Sequence, residues 1–415
     1  ASMDDEVVSD ARALKSKLRR AERMGQLRAY LFVLPLLIFL LLTFFLPIGN
    51  LLLKSVKDPL ISEAMPRTVD LLGQWNSKKQ DLPSGETFAA LAHELAAMKG
   101  TDGAGKVALR LNFESPGMRS LVLKTARSVG SEADTDWRVR LPEIDSRWNE
   151  SQTWVSLKYA SKPWTMDFYL KAFDLTRDEH GAIVQMPEDQ RLYRDIFLRT
   201  AWIGLVVSLL CVLFGYPVAY FLASLPTRLS NVLMILVLLP FWTSFLVRSI
   251  SWMVVLQGNG ILNGLLSFLG ISDEGVTLIY NRWGVLISMT HILVPYAILS
   301  LYSVMKNISP VYMRAARSLG AGPVRSFFSA YFPHTLPGVA AGIMLTFILA
   351  VGYYITPAML GGPDDQLVSY YIANHVNTSL NWGLAAALAT LMLAGVMFMY
   401  VIFVRLTGGA GVKLG

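Results

Sequence analysis

At 415 residues, with 53% hydrophobic and only 16% charged residues, the composition excludes an ordinary soluble enzyme and fits a membrane protein with one soluble portion. The single cysteine, Cys211, lies in an apolar run, so neither a disulfide framework nor a cysteine-built metal site can form within the chain. The net charge of +7 would suit nucleic acid, but the N-terminal basic cluster directly precedes an apolar span, and there anionic lipid is the expected partner; no nucleic-acid contact is expected.

Residues 1–28 read as a polar cytoplasmic tail carrying Arg12, Lys15, Lys17, Arg19, Arg20, Arg23 and Arg28. The stretch 29–53 has no charged residue, and about 25 residues at ~1.5 Å each exceed the ~30 Å hydrocarbon core, so it is the first transmembrane helix. Five further spans fall near 200–224, 231–257, 283–304, 338–359 and 382–404. Six crossings leave both termini on one side. Basic residues cluster in the tail, at Arg228, at Lys306, Arg314, Arg317 and Arg325, and at Arg405 and Lys413, whereas the opposite short loops carry only Arg282. The positive-inside rule places the tail, the loop between spans four and five, and residues 406–415 in the cytoplasm.

Between the first two spans, residues 54–163 form an inserted domain on the periplasmic side, because a connection that long needs a core of its own. Residues 84–99 set Phe88, Leu91, Leu95 and Met98 on one helical face, and Ser115-Pro116 opens a helix over 117–129. Residues 107–113 and 137–141 alternate as short strands would, so the expectation is a small mixed α/β domain over about 59–161. Two motifs here are refused. Residues 100–106, GTDGAGK, have the glycine and lysine spacing of a phosphate loop, but Val107 replaces the hydroxyl residue that holds magnesium. His93-Glu94 starts a zinc-helix pattern, but Ala97 stands where the second histidine must be.

The stretch 312–342, YMRAARSLGAGPVRSFFSAYFPHTLPGVAAG, carries three arginines and no acid between two uncharged spans. A helix over 311–318 is ended by Gly320, Gly322 and Pro323, and a second amphipathic piece over 324–331 is expected to stop at Pro333. Ala315-Ala316, three residues, Gly320, then Pro333 and Leu336-Pro337-Gly338 resembles the cytoplasmic loop of permease subunits of ATP-binding-cassette (ABC) importers. In that family the loop begins with glutamate; here Arg314 stands there, with Ala330 and Phe332 at its isoleucine and leucine positions. The wording PFWTSFLVR at 240–248, YYITPAMLGGP at 353–363 and Asn381-Trp382 is similar to the spermidine/putrescine importer permeases. The resemblance covers about 29–59 and 164–405, a permease core at 164–405 with spans two to six; the inserted domain is not matched.

The resemblance implies an all-α integral membrane protein of the type I importer permease kind, six transmembrane helices with the inserted α/β domain. It implies a subunit that is not itself an enzyme and binds no cofactor, ATP and magnesium sitting on a partner. The expected partners are two ABC ATPase subunits, a second homologous permease, a periplasmic substrate-binding protein and the bilayer. The coupling loop, 306–337, would present Arg314, Ala315, Ala316, Arg317, Gly320, Ala321, Gly322 and Pro323 to the ATPase. Candidate pathway residues are Trp242, Arg248, Trp252, His291, Tyr296, Tyr353 and Tyr354, while Asp364 and Asp365 are candidates for contact with the binding protein. In an unbroken third helix Arg248 lies about 26 Å from Asn231, near the outer interface, where it either snorkels to headgroups or lines a water-filled cavity. The spans offer no Asp or Glu in their apolar parts, so the aromatic residues either form a cavity for an organic cation or pack as interface belts. A polyamine, a related organic cation or an amino-acid derivative is the expected solute. A gradient-driven secondary transporter and a membrane-anchored periplasmic interaction protein are the alternatives.

Overall fold

The computed structural model describes residues 24–25, 30–130, 135–270 and 276–406. The basic cluster of the tail and the C-terminal residues beyond 406 lie outside the described residues. Tyr30–Leu53 is a separate unit, a 24-residue apolar helix with none of its most apolar window buried. It widens to a π-helix over Leu41–Phe45, just before Leu46–Leu53 begins with Pro47 in its first turn. Proline has no N–H and crowds the carbonyl four residues back, that of Thr43, so the preceding turn opens.

The inserted segment is helical, which corrects the mixed α/β expectation. Helices run over Leu60–Ala64, Pro66–Gln74, Gly85–Ala97, Gly103–Glu114, Met118–Ser128, Trp137–Ile144 and Ser151–Ala160. Both expected strands are helix: 107–113 lies inside Gly103–Glu114, and 137–141 opens Trp137–Ile144. Their buried positions show why. In the first, Ala104, Val107, Ala108 and Leu111 face inward, and in the second Trp137 and Leu141 do, while Val139 is exposed. Among the described residues the only sheet is the hairpin Leu175–Arg177 with Ile183–Gln185, outside 59–161. Trp148 and Trp154 centre the core, with Phe88, Leu91, Leu95, Leu111 and Leu121 around them. Trp148 Nε1 donates to Thr125 Oγ1 at 3.0 Å and Trp154 Nε1 to the Trp148 carbonyl at 2.9 Å, so neither indole pays for its burial with a lost hydrogen bond.

Both refused motifs have structural explanations. Gly103 to Lys106 form the first turn of Gly103–Glu114 rather than a phosphate cradle after a strand. Glu94 caps Pro66–Gln74, its carboxylate accepting the Arg67 N–H at 2.9 Å and the Thr68 N–H at 3.0 Å.

The chain leaves and re-enters this domain as a pair. Lys57 and Trp164 form an antiparallel bridge, with Asp58 N–H donating to the Pro163 carbonyl at 2.9 Å and Thr165 N–H to that of Val56 at 2.8 Å. Beyond it come the apolar stretches Tyr193–Ser224, Phe245–Phe268, Arg282–Met305, Pro323–Gly352 and Trp382–Arg405; with Tyr30–Leu53 they make six long enough to cross a membrane among the described residues. Tyr193–Ser224, Arg282–Met305 and Phe332–Gly352 form the central core through Ile203, Val207, Cys211, Met289, Leu293, Ala297 and Ala350. Small residues let these helices approach. A Cβ on Gly204 would lie 3.0 Å from Val351, and one on Gly342 3.7 Å from Ala297.

The third span differs most from expectation. In place of one helix over 231–257 there is Thr227–Leu238, a 3-10 turn over Leu239–Trp242, then Phe245–Leu256 and Ile261–Phe268. Pro240, inside the 3-10 turn, cannot continue an α-helical ladder. The later break is stitched by Asn263, whose amide donates to the Gly258 and Val276 carbonyls, each at 2.9 Å, and accepts the Val276 N–H at 2.7 Å.

Candidate functional site

The helix Val311–Ser318 buries none of its residues. Its end is a Schellman closure: Ala321 N–H reaches the Ala316 carbonyl at 3.1 Å and Gly320 N–H that of Arg317 at 3.0 Å, with Gly320 at φ +90°. Gly322 then precedes Pro323–Ser326, which has proline in its first turn. The second piece does not stop at Pro333. It passes through a π-helix over Phe327–Tyr331 directly into Phe332–Gly352, so Pro323–Gly352 is a single helical stretch. As at Pro47, the wide turn sits just before the proline and absorbs its missing N–H.

Arg314, Ala315, Arg317, Gly320, Gly322 and Pro323 are exposed, whereas Ala316 and Ala321 are half-buried. Leu319 is 89% exposed and Val324 70%, flanking the arginines with apolar surface. Tyr220, Met313, Arg317, Pro323, Val324, Phe327 and Phe328 line an open hollow of about 300 Å³ at the turn. The loop thus presents a rigid, basic and partly apolar knob anchored by Tyr220, Phe327 and Tyr331, whose rings lie 5.3 to 5.6 Å apart.

A second group gathers around Arg248. Phe245–Leu256 packs on the short helix Ile355–Leu360, where Ser249 and Thr356 share a hydroxyl hydrogen bond of 2.9 Å, both groups buried. Arg248, one residue before Ser249, is only 8% exposed. Its guanidinium carbon lies 4.9 Å from the Phe245 ring centre, at the first turn of its own helix, and its Nε and Nη1 are buried without a hydrogen-bond partner among the described residues. The break after Trp242 is what brings Arg248 into the opening turn of a packed helix.

Phe245 meets Tyr353 edge to face at 5.7 Å, and Trp252 Nε1 donates to His291 Nδ1 at 3.1 Å. Trp252 stands one turn after Arg248 on Phe245–Leu256, which links the two pairs. Tyr296 meets Phe241 in a tilted pair, ring centres 4.6 Å apart. Thus Arg248, Trp252, His291 and Tyr353 are brought together, whereas Trp242 is 90% exposed and Tyr354 42% exposed.

Residues 360–381 are more than an outer loop. Ile355–Leu360, Pro363–Asp365 and Val368–Asn377 follow in order, and the last folds back on the second span, where Val368 N–H donates to Thr200 Oγ1 at 3.0 Å and the Tyr193 hydroxyl pairs with His375 Nε2 at 2.9 Å. Asp364 is exposed, but Asp365 is buried, taking Arg282 Nε at 3.0 Å and the Gly362 N–H at 3.2 Å. Burial pushes the His375 imidazole below its ordinary range. Periodicity gives no signal for this fold-back. Its clues are the buried polar run Asp365, Gln366 and Ser369 and the glycines at 361 and 362, where a Cβ would come within 2.7 to 2.9 Å of a backbone oxygen.

This is a multi-span membrane protein whose helical core carries one exposed basic loop and one polar cluster, the build of a permease. Residues 215–408 match the family described as binding-protein-dependent transport system inner membrane component, and the chain belongs to it. It is 30% identical over 210 residues to the spermidine/putrescine transport system permease protein PotB of Escherichia coli K12, covering 50% of this chain and 76% of that one. It is 32% identical over 216 residues to PotB of Haemophilus influenzae, with the same shares covered. Among solved structures, a bacterial alginate ABC transporter in complex with an alginate pentasaccharide-bound periplasmic protein is similar at 16% identity and a TM-score of 0.43, over 60% of this chain and 84% of that one. The chain is an inner-membrane permease subunit of an ABC importer, and not an enzyme in its own right.

Proposed function

We propose that this permease imports a small organic solute by alternating access, driven by a separate ATPase through the loop 306–337. The observation that carries the reading is the helix Val311–Ser318, which leaves Arg314 and Arg317 exposed and is closed by Gly320 at a left-handed backbone angle. A helix packed on one side against the following turn and exposed on the other is suited to receive force from a docking groove. The continuous stretch Pro323–Gly352 would carry that push into the core helices. The charge pattern of the loops supports cytoplasmic placement of this segment and of both termini. Two ATPase subunits, a second permease and a periplasmic binding protein complete the proposed assembly.

The names of the relatives support a solute of the polyamine group, or a related organic cation or amino-acid derivative. The cluster of Arg248, Trp252, His291, Tyr296 and Tyr353 is the proposed pathway. For the helical domain at 54–163 and the exposed Asp364 we propose contact with the binding protein, a role suited to a rigid insertion whose two ends are paired. Asp365 is already engaged by Arg282 and would hold the segment's shape instead. Co-purification tests the central reading: an ATPase subunit is expected to come down with the wild type and to be lost with Gly320→Trp, and retention in that variant would reject this loop as the docking site.

A further inference from the structure

Among the described residues Arg248 is a full positive charge without a counter-ion. It is 8% exposed, its Nε and Nη1 are buried without partners, and among the described residues no carboxylate pairs with it. A largely buried guanidinium with no partner among the described residues is costly, and more so in a membrane segment, so a complementary anion is expected beside it.

Three features favour an anion at the same place. Helical side chains lean toward the N-terminus, and the guanidinium accordingly sits over Phe245, the first residue of Phe245–Leu256. That end of the helix carries a partial positive charge and free N–H groups, and Ser244 at its N-cap does not close it with its side chain. His291 accepts the Trp252 indole N–H on Nδ1, which fixes the ring proton on Nε2, leaving a donor on the same cluster. The Tyr353 hydroxyl is buried beside Thr356, whose own hydroxyl is paired with Ser249. The cluster therefore offers donors and positive charge, with no anionic acceptor.

From this geometry we infer that the cluster at the break of the third span, with Arg248 at its centre, is a subsite for a carboxylate on the transported solute. This rests on reading the chain as a permease and narrows its solute. A bare polyamine, cationic along its whole length, meets a fixed like charge here. An amino-acid derivative places its carboxylate on Arg248 and its apolar or cationic remainder against Phe245, Trp252 and Tyr353. A lipid headgroup is the competing source of such an anion, and the test below separates the two. A second copy of this chain would bring no Asp or Glu from the apolar parts of spans two to six.

The test uses the assembled complex in nanodiscs and radiolabelled pairs that differ only by the α-carboxylate, ornithine against putrescine and arginine against agmatine. The wild type is expected to bind the carboxylated member of each pair about tenfold or more tightly, to lose that preference in Arg248→Met and to keep part of it in Arg248→Lys. Equal or tighter binding of putrescine or agmatine, no binding of either member, or a preference unchanged in Arg248→Met overturns the assignment. So does loss of phosphatidylglycerol binding in Arg248→Met with solute binding intact, which would give the charge to lipid. Failure of both Arg248 variants to assemble with the second permease would give it to the subunit interface, and equally overturns the assignment. ATP-driven uptake in liposomes separates the two readings: transport with an indifferent Arg248 rejects the carboxylate site alone, whereas a wild type with no ATP-driven uptake rejects the permease reading.

Discussion

The ammonium of Lys171 stands 3.0 Å from Glu114 Oε2, while Arg110 Nη1 holds Glu114 Oε1 at 2.6 Å. Arg110 also binds Asp58, and Lys171 donates to the Phe113 carbonyl, so four charged side chains lock the inserted domain to the helix Asp167–Ala172 that leads into the core. Burial alone would raise the Glu114 carboxyl, but Lys171 and Arg110 outweigh it and hold it at about 2. Its folded value is depressed, so its stabilisation is complete above the ordinary carboxylate range and is lost as pH falls from there toward about 2. Glu114→Gln is expected to cost about 3–5 kcal/mol at neutral pH, because it leaves buried cations unpaired. Thermal unfolding of the purified protein between pH 7 and pH 3 checks both points; the wild type should lose stability across the acid range and the variant should lose much less.

Phe168 on the same helix is seated directly against Gly383 of the last span. A Cβ on Gly383 would lie 2.2 Å from the tip of the ring, so this buried ring must shift to admit it. Gly383→Ala should therefore destabilise by about 1–3 kcal/mol, and adding Phe168→Leu should recover part of the loss. Melting temperatures of the two single variants and the double variant test this, and additive effects would mean that the two residues do not share the contact.

Gly320 has open space around its missing side chain, so substitution there is a backbone test uncomplicated by packing. At φ +90° asparagine is tolerated and a β-branched residue is not, with a cost of about 1–2 kcal/mol for the latter. Gly320→Asn is expected to retain the ATPase through purification, while Gly320→Val should release most of it; equal retention would show that the turn's shape is not read by the partner.

Arg314, Arg317 and Arg325 are exposed on a segment with no acidic residue. Contacts built on exposed charge are screened within about 10 Å at 0.1 M salt and within about 3 Å at 1 M. Affinity for the ATPase, measured by titration, should fall steeply with added salt for the wild type and less steeply for Arg317→Ala. A salt-independent affinity would assign the contact to Leu319 and Val324 instead.

Much of the membrane part was legible because long uncharged runs have one explanation, and because Gly320 and Pro323 announce a helix end and a helix start. The inserted domain was misread because residues 107–113 are too short to separate a period of 2 from one of 3.6; Val139, exposed in the middle of Trp137–Ile144, supplied the false alternation. The third span breaks at Pro240, but the residue alone does not announce it, since Pro217, Pro295 and Pro337 lie inside unbroken helices. No local pattern announced the meeting of Phe168 with Gly383 or of Arg282 with Asp365, since both join residues far apart in the chain.

ATP-driven accumulation of solute in liposomes, with the complete complex reconstituted, tests the central claim most directly. Uptake is predicted with active partner ATPase and none with an ATPase unable to hydrolyse ATP, regardless of any proton or sodium gradient. Uptake that follows such a gradient and persists without the ATPase would contradict the account.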